Sequence, residues 1–170
     1  MVELAFPFPD ERVGFDAFYS KHIDMLLSIE GLNAAQRFEA THEALAPFMA
    51  IYSLAHDAVL ESDGYTSRAG PDSVSMDYRP KMLNWKRNVV TGPQLHLDVA
   101  LDGWLQIVDR VSDDSPTLPA QFLAFKPIAL DMTVVERGIL VGQTGEPPAV
   151  AEQAGWVVRS MKPLHARRET

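Results

Sequence analysis

A histidine and a tyrosine share the apolar face of the first helix that the sequence predicts. Residues 15–31 read FDAFYSKHIDMLLSIEG, and their apolar spacing of three and four residues is typical of an amphipathic helix. On that face, a neutral imidazole at His22 can take or give a proton near neutral pH. Tyr19 lies one turn earlier, where its hydroxyl can contact the same ligand oxygen. We therefore predict His22 and Tyr19 as a catalytic pair. A half-buried histidine that hydrogen-bonds a backbone carbonyl or Tyr19 is the alternative.

Further side chains in the first half of the chain suit an aromatic ligand. Arg37, on the predicted strand after this helix, can hold a carboxylate through two parallel hydrogen bonds. Flat apolar surface for the ligand is predicted at Phe18, Tyr52, Tyr65 and Trp85. Both predictions have plainer alternatives, an ordinary ion pair for the arginine and core packing for the aromatic rings.

Several kinds of site lack their sequence signals. The five histidines, at positions 22, 42, 56, 96 and 165, do not form an H-E-x-x-H or H-x-x-E-H motif, and there is no cysteine. The sequence also contains no P-loop, no GxGxxG and no GxSxG motif. We therefore predict no metal site and no cofactor, with a single metal ion held by residues distant in sequence as the alternative.

Composition restricts the partners and the location. The chain has 170 residues, 46% of them hydrophobic, and a formal net charge of −8. Nucleic acids and anionic membranes repel such a charge, so we expect neither as a partner. No apolar run reaches the length of a bilayer span, and no basic segment precedes an apolar one at the N-terminus. A cytoplasmic protein is the expectation.

The order of the predicted elements indicates an α+β protein built from two halves. Strands are predicted at 2–8, 33–41, 47–54, 104–110 and 156–164, and helices at 15–31, 56–65, 78–89, from 120 onward and at 147–154. Shifting the sequence by 107 positions aligns nine identical or similar pairs, such as Phe15 with Phe122 and Gly31 with Gly138. We therefore predict a single domain over 1–170, with two βαββ-like, ferredoxin-like halves at 1–92 and 101–165. The two sheets either close into a barrel or form one open sheet.

Part of the chain resembles a known family. The segment Phe15 to Ile23, the turn Ser28 to Gly31, the strand Ala35 to Phe38 and the segment Tyr52 to Tyr65 resemble the EthD-like proteins of the dimeric α/β-barrel superfamily. The likeness covers roughly residues 1–92 and is looser afterwards. In the family pattern a proline follows the His-Ile pair, whereas this chain has Asp24.

The resemblance implies a pocket between sheet and helices, and a choice among functions. Related barrels include cofactor-free cyclases, decarboxylases, isomerases and quinone-forming monooxygenases that act on aromatic or polyketide-like substrates, along with some haem-binding proteins and many members with no assigned activity. The first hypothesis is therefore a cofactor-independent lyase or isomerase of aromatic compound catabolism, such as a decarboxylase, dehydratase or cyclase for a carbonyl compound or carboxylate, with His22 and Tyr19 as its acid–base groups. The second is a non-catalytic protein that binds a hydrophobic metabolite or haem. The third is a filled structural barrel. Short family members pair two chains to complete a barrel, whereas a chain with both halves can close one barrel alone. Formation of a homodimer by such a chain is left as an alternative.

Overall fold

The computed structural model describes residues 1–69, 77–93 and 97–170, and β-strands make up most of it. One long helix, α1, spans Arg12–Leu27, and a one-turn helix, α2, spans Asp63–Thr66. Short 3₁₀ turns occupy Pro9–Glu11, Asp57–Glu61 and Arg79–Lys81. The nine strands are β1 Val2–Ala5, β2 Leu32–Ala40, β3 Phe48–Leu54, β4 Leu83–Thr91, β5 Trp104–Arg110, β6 Leu123–Leu130, β7 Glu136–Gly142, β8 Trp156–Pro163 and β9 Arg168–Glu169.

Eight of the strands close into an antiparallel β-barrel. The order around the wall is β3-β1-β4-β6-β7-β5-β8-β2, and β2 pairs with β3 to complete the ring. The closing pair is long, from Leu32 opposite Leu54 to Glu39 opposite Phe48. The ninth strand, β9, pairs with Ala34 and Ala35 of β2, beyond the end of the β8 ladder. Closure leaves these eight strands without a free edge.

The barrel interior is filled with side chains over most of its length. Alternate residues point inward, as the two-residue period of a strand requires. They form an apolar core that includes Phe38, Met49, Leu105, Ile107, Phe125, Ile139 and Met161. At one end the segment around Val99 closes the core, because the side chain of Gln36 bonds both the N–H and the C=O of Val99.

A layer of four charged side chains lies beside this core, inside the barrel. Arg137 and Arg159 each bind both Glu3 and Asp109, at N–O distances of 2.5 to 2.6 Å. Ion pairs can hold charges in the interior only when every charge has such partners. This layer joins β1 to β5, β7 and β8 across the barrel. It also forms the floor of an open cavity of about 560 Å³.

Helix α1 covers the outer face of β1, β2 and β3. Its buried residues are Phe15, Tyr19, Ile23 and Leu26, spaced by three or four positions. Phe15 stacks on Phe6 just beyond β1, with ring centroids 4.1 Å apart. The helix ends before Gly31, whose φ of +87° is a conformation that glycine adopts without strain.

The predicted ferredoxin-like α+β fold is wrong. A closed barrel of eight antiparallel strands with one long helix replaces the two sheets with helices on one side. The two βαββ-like halves fail as a fold because residues 101–165 contribute only strands. The segment aligned with α1 in the predicted repeat is strand β6. Closure of a barrel by a single chain was one of the two expectations. The strands of this barrel, however, are not arranged as two ferredoxin-like sheets.

The largest errors lie in three segments predicted as helices. Residues 78–89 form a 3₁₀ turn followed by β4, residues from 123 onward form β6, and residues 147–154 form neither helix nor strand. The strand predicted at 2–8 also ends at Ala5, and the helix predicted at 56–65 is a 3₁₀ turn followed by the one-turn helix α2. The strand at 104–110 is confirmed, and those at 33–41, 47–54 and 156–164 are confirmed within one residue at each end. The class labels lyase, isomerase and aromatic compound catabolism rested on the ferredoxin-like barrel, so they lose their support with it.

No helix among the described residues has both the length and the apolar character needed to cross a membrane.

Candidate functional site

A cavity of about 320 Å³ lies between α1 and the barrel wall, and core residues such as Leu97 and Phe125 also line it. We call it the helix–barrel cavity. Helix α1 contributes Phe18, Tyr19 and His22 to its wall. Strands β3 and β4 and helix α2 contribute most of the remaining aromatic and polar wall, at Tyr52, Tyr65, Trp85, Arg87 and Asn88. Six of the seven predicted site residues thus line one cavity, and the seventh, Arg37, does not.

The His22 ring lies against two aromatic neighbours on α1. It stacks on Phe18 at 5.9 Å between centroids and meets the edge of Tyr19 at 5.8 Å. Burial lowers the pKa of His22 below its ordinary value of 6.5. No hydrogen bond joins its ring nitrogens to another described residue. His22 is therefore a neutral imidazole at pH 7, with nitrogens that can meet a ligand.

Two phenol groups lie side by side at the inner end of the cavity. The fully buried hydroxyl of Tyr52 on β3 has no hydrogen-bond partner within 3.5 Å in the described part of the chain, but it interacts with the adjoining hydroxyl of Tyr19. Burial raises the pKa of Tyr52 well above 10.0, and the neighbouring Tyr19 raises it further. Burial also raises the pKa of Tyr19, against the opposing effect of Arg37. Both phenols stay protonated at neutral pH, so each can act as a hydrogen-bond donor.

Arg37 lies behind the cavity wall. Its side chain is 5% exposed, its guanidinium covers the Tyr19 ring at 4.1 Å, and Nη2 donates to Asp16 at 3.1 Å. The ion pair that the sequence offered as the alternative is thus present. Arg37 can orient Tyr19 and keep it in place, but it does not reach the cavity as a ligand for substrate.

A different arginine lines the cavity, and the sequence reasoning missed it. Arg87 and Trp85 lie two residues apart on the outer face of β4, where the guanidinium of Arg87 is 4.8 Å from the indole centroid. Its Nη1 donates to the hydroxyl of Tyr65 at 3.2 Å. On the helix predicted over 78–89, Arg87 and Trp85 would lie on different faces. Read with a two-residue period, the sequence WKRNV places the two on one side.

Comparisons with family models, with curated proteins and with solved structures each give no match for this chain. The resemblance to EthD-like proteins therefore stays a prediction, although the fold that it implied is wrong.

The remaining polar groups do not assemble a metal centre. Within 1–69, 77–93 and 97–170, no three residues of the types His, Asp and Glu are close enough to hold a metal ion. His56 lines the helix–barrel cavity, and His42 lines the cavity at the charged end of the barrel. The ring Nδ1 of His165 lies 2.7 Å from the Ala166 carbonyl oxygen. His96 lies outside the described residues.

Asp24, which replaces the proline of the family pattern, points away from the cavity. Its side chain is 66% exposed and pairs with Arg168 of β9 at 2.9 Å. It therefore does not contact His22, and its carboxylate adds no charge to the cavity wall.

Proposed function

We propose that this protein binds a small, flat, hydrophobic molecule, aromatic in character, in the helix–barrel cavity. The observation that carries the proposal is the wall itself, in which Phe18, Tyr19 and Trp85 provide aromatic surface around about 320 Å³. Cavities of this size, with apolar walls and a few polar groups, are the usual form of small-molecule sites. Leu97 and Phe125 of the barrel core also line this cavity, so its inner end reaches the apolar interior of the barrel.

The polar groups of the wall match an oxygen-bearing ligand. The adjoining hydroxyls of Tyr19 and Tyr52 lie at the inner end of the cavity, and both are protonated donors. A ligand oxygen that accepts from this pair would gain a net stabilisation of about 1 kcal/mol. This favours an aromatic ketone, quinone or acid over a pure hydrocarbon.

Acid–base catalysis is a second candidate function, and the state of His22 favours it. A neutral imidazole within reach of the ligand is a suitable general base, and the protonated phenol of Tyr52 could polarise a carbonyl. No reaction class follows from these groups. Haem binding through His22 also stays a prediction, and an absorbance band near 400 nm in the purified protein would reveal it.

Tryptophan fluorescence tests the binding proposal directly. We would titrate the protein with 2-acetonaphthone, 2-naphthol and anthraquinone, and record quenching in wild type and in Trp85→Phe. Trp156→Phe is the matched control, because Trp156 bonds the Pro116 carbonyl and does not line the cavity. We expect saturable quenching in wild type and in Trp156→Phe, and its loss in Trp85→Phe. The proposal fails if no ligand binds, or if quenching persists unchanged in Trp85→Phe.

The same ligands test His22. In an NMR titration the imidazole resonances, assigned with His22→Ala, are expected to shift on binding. If a ligand quenches Trp85 without moving these resonances, the catalytic candidate fails and the binding proposal stands.

A further inference from the structure

The guanidinium of Arg87 is held in place by aromatic groups at the edge of the helix–barrel cavity. Trp85 lies under it at 4.8 Å, and the Tyr65 hydroxyl accepts its Nη1 at 3.2 Å. The side chain is half-buried. Both contacts are to neutral groups, so they fix the orientation of the cation without neutralising it.

The other enclosed arginines of the barrel differ from Arg87 in this respect. Arg37, Arg110, Arg137 and Arg159 each lie within 3.1 Å of a carboxylate oxygen. Across residues 1–69, 77–93 and 97–170, no carboxylate lies within 4.0 Å of a side-chain nitrogen of Arg87. A cation that is partly removed from water without a counter-charge favours the arrival of an anion.

The surroundings set the charge and shape of that anion. The guanidinium of Arg79 lies over the same indole at 3.9 Å and adds to the positive potential, although Arg79 is not part of the cavity wall. Asp57 lines the cavity and acts against it, but this carboxylate is exposed and accepts from the Ala58 N–H of its own turn. Nε and Nη2 of Arg87 donate to no other described residue, which leaves a planar pair of donors. Such a pair matches the two oxygens of a carboxylate.

We propose that the ligand of the helix–barrel cavity carries a carboxylate that pairs with Arg87. This inference rests on the proposed function and specifies its ligand as an aromatic monocarboxylate. The aromatic part lies against Phe18, Tyr19 and Trp85, and the acid group accepts from Nε and Nη2 of Arg87, while Nη1 keeps its bond to Tyr65.

A shape-matched pair of probes tests the charge alone. By isothermal titration calorimetry at pH 7, we would compare 2-naphthoate with 2-naphthamide, which differ in charge and hardly in size. We expect wild type to bind the carboxylate at least about tenfold more tightly than the amide. In Arg87→Gln the two affinities become equal, because the carboxylate loses its partner while the amide keeps its aromatic contacts. Arg87→Lys is expected to retain a smaller preference, because an ammonium keeps the charge without the planar pair.

Arg79→Gln is the matched control, since it removes a cation from the same indole but not from the cavity wall. We expect it to keep the carboxylate preference within about twofold. Loss of the preference in Arg79→Gln, or equal binding of both probes by wild type, overturns the carboxylate proposal while the binding function stands. If Arg87→Gln weakens both probes equally, Arg87 shapes the cavity and the carboxylate proposal is again wrong. If neither probe binds wild type, the proposed function fails, and this inference fails with it.

Discussion

Replacing Glu3 by glutamine is expected to destabilise the barrel strongly at neutral pH. Glu3 on β1 binds Arg137 and Arg159 across the interior. These pairs outweigh the burial of the carboxylate and lower the pKa of Glu3 from 4.5 to about 2. A difference of this size in pKa corresponds to about 3 kcal/mol of stability that only the ionised carboxylate provides. The glutamine variant loses this contribution and leaves two buried guanidinium groups with one carboxylate.

The same reasoning fixes the pH dependence. The folded pKa lies below the unfolded value, so the contribution is fully present above about pH 4.5 and is lost as the pH falls through about 2. Urea unfolding at pH 7 and at intervals from pH 5 to 2 measures both effects. We expect Glu3→Gln to lose about 3 kcal/mol at pH 7 and to show a flatter decline of stability below pH 4.5 than wild type.

A surface pair provides the control for this experiment. Asp24→Asn removes the exposed ion pair with Arg168, so we expect a loss under about 1 kcal/mol. A loss of similar size in both variants, or wild-type acid sensitivity in Glu3→Gln, would refute the assignment of this stability to the buried network. Because Val2 lines the helix–barrel cavity beside Glu3, ligand binding by the folded variant also reports whether β1 stays in place.

Three further predictions follow from single positions. His22→Leu is expected to lose less stability than wild type when the pH falls below about 6.5. The lowered pKa of His22 in the folded protein means that acid protonates this histidine more readily in the unfolded state, which favours unfolding of wild type; thermal unfolding at pH 7 and 5 measures this. Tyr52→Phe is expected to change stability by less than about 1 kcal/mol while weakening carbonyl ligands, since it removes a buried hydroxyl that interacts with Tyr19 but has no hydrogen-bond partner within 3.5 Å among the described residues; unchanged ligand affinity would contradict that role. Gly31→Ala is expected to lower the free energy of unfolding in urea by about 1–3 kcal/mol, more than Gly145→Ala does. Both glycines have a positive φ, but only a Cβ at position 31 would lie 2.5 Å from the Val59 side chain; equal losses in the two variants would show that this close contact is relieved.

The sequence predicts the elements whose period is unambiguous. The stripe of α1 repeats every three to four residues over four turns, and glycine follows its end, so the helix and its buried face are predicted within a few residues. β5 is predicted at its observed bounds because Trp104 to Arg110 lies in a short run between turn residues. Four of the six site residues that line one cavity do so because α1 and β3 were placed correctly, whereas Trp85 lines it although its segment was predicted as a helix.

The sequence fails where one set of apolar residues fits two periods. Met82, Trp85 and Val89 are spaced as on a helix, but Trp85, Arg87 and Val89 also alternate along a strand, and pairing of β4 with β1 and β6 selects the strand. In the segment of β6, the three-residue spacing of Phe122 and Phe125 also fits a helix. In the strand, the buried residues are Phe125 and Pro127, which are two positions apart. Propensity does not decide between the two because the barrel partners that pair with these strands are distant in sequence.

The choice between Arg37 and Arg87 as the anion-binding residue shows why the ligand site needed the fold. Both arginines lie on strands, β2 and β4, and both point to the outer face of the barrel. Helix α1 covers β2 and brings Asp16 to Arg37, which satisfies that cation inside the protein. At β4 the wall meets Tyr65 and Trp85 instead, which orient Arg87 but carry no charge. Which arginine pairs with a ligand is therefore decided by which strand the helix covers, and a chain that placed an acidic residue at position 65 would neutralise the site without changing the barrel.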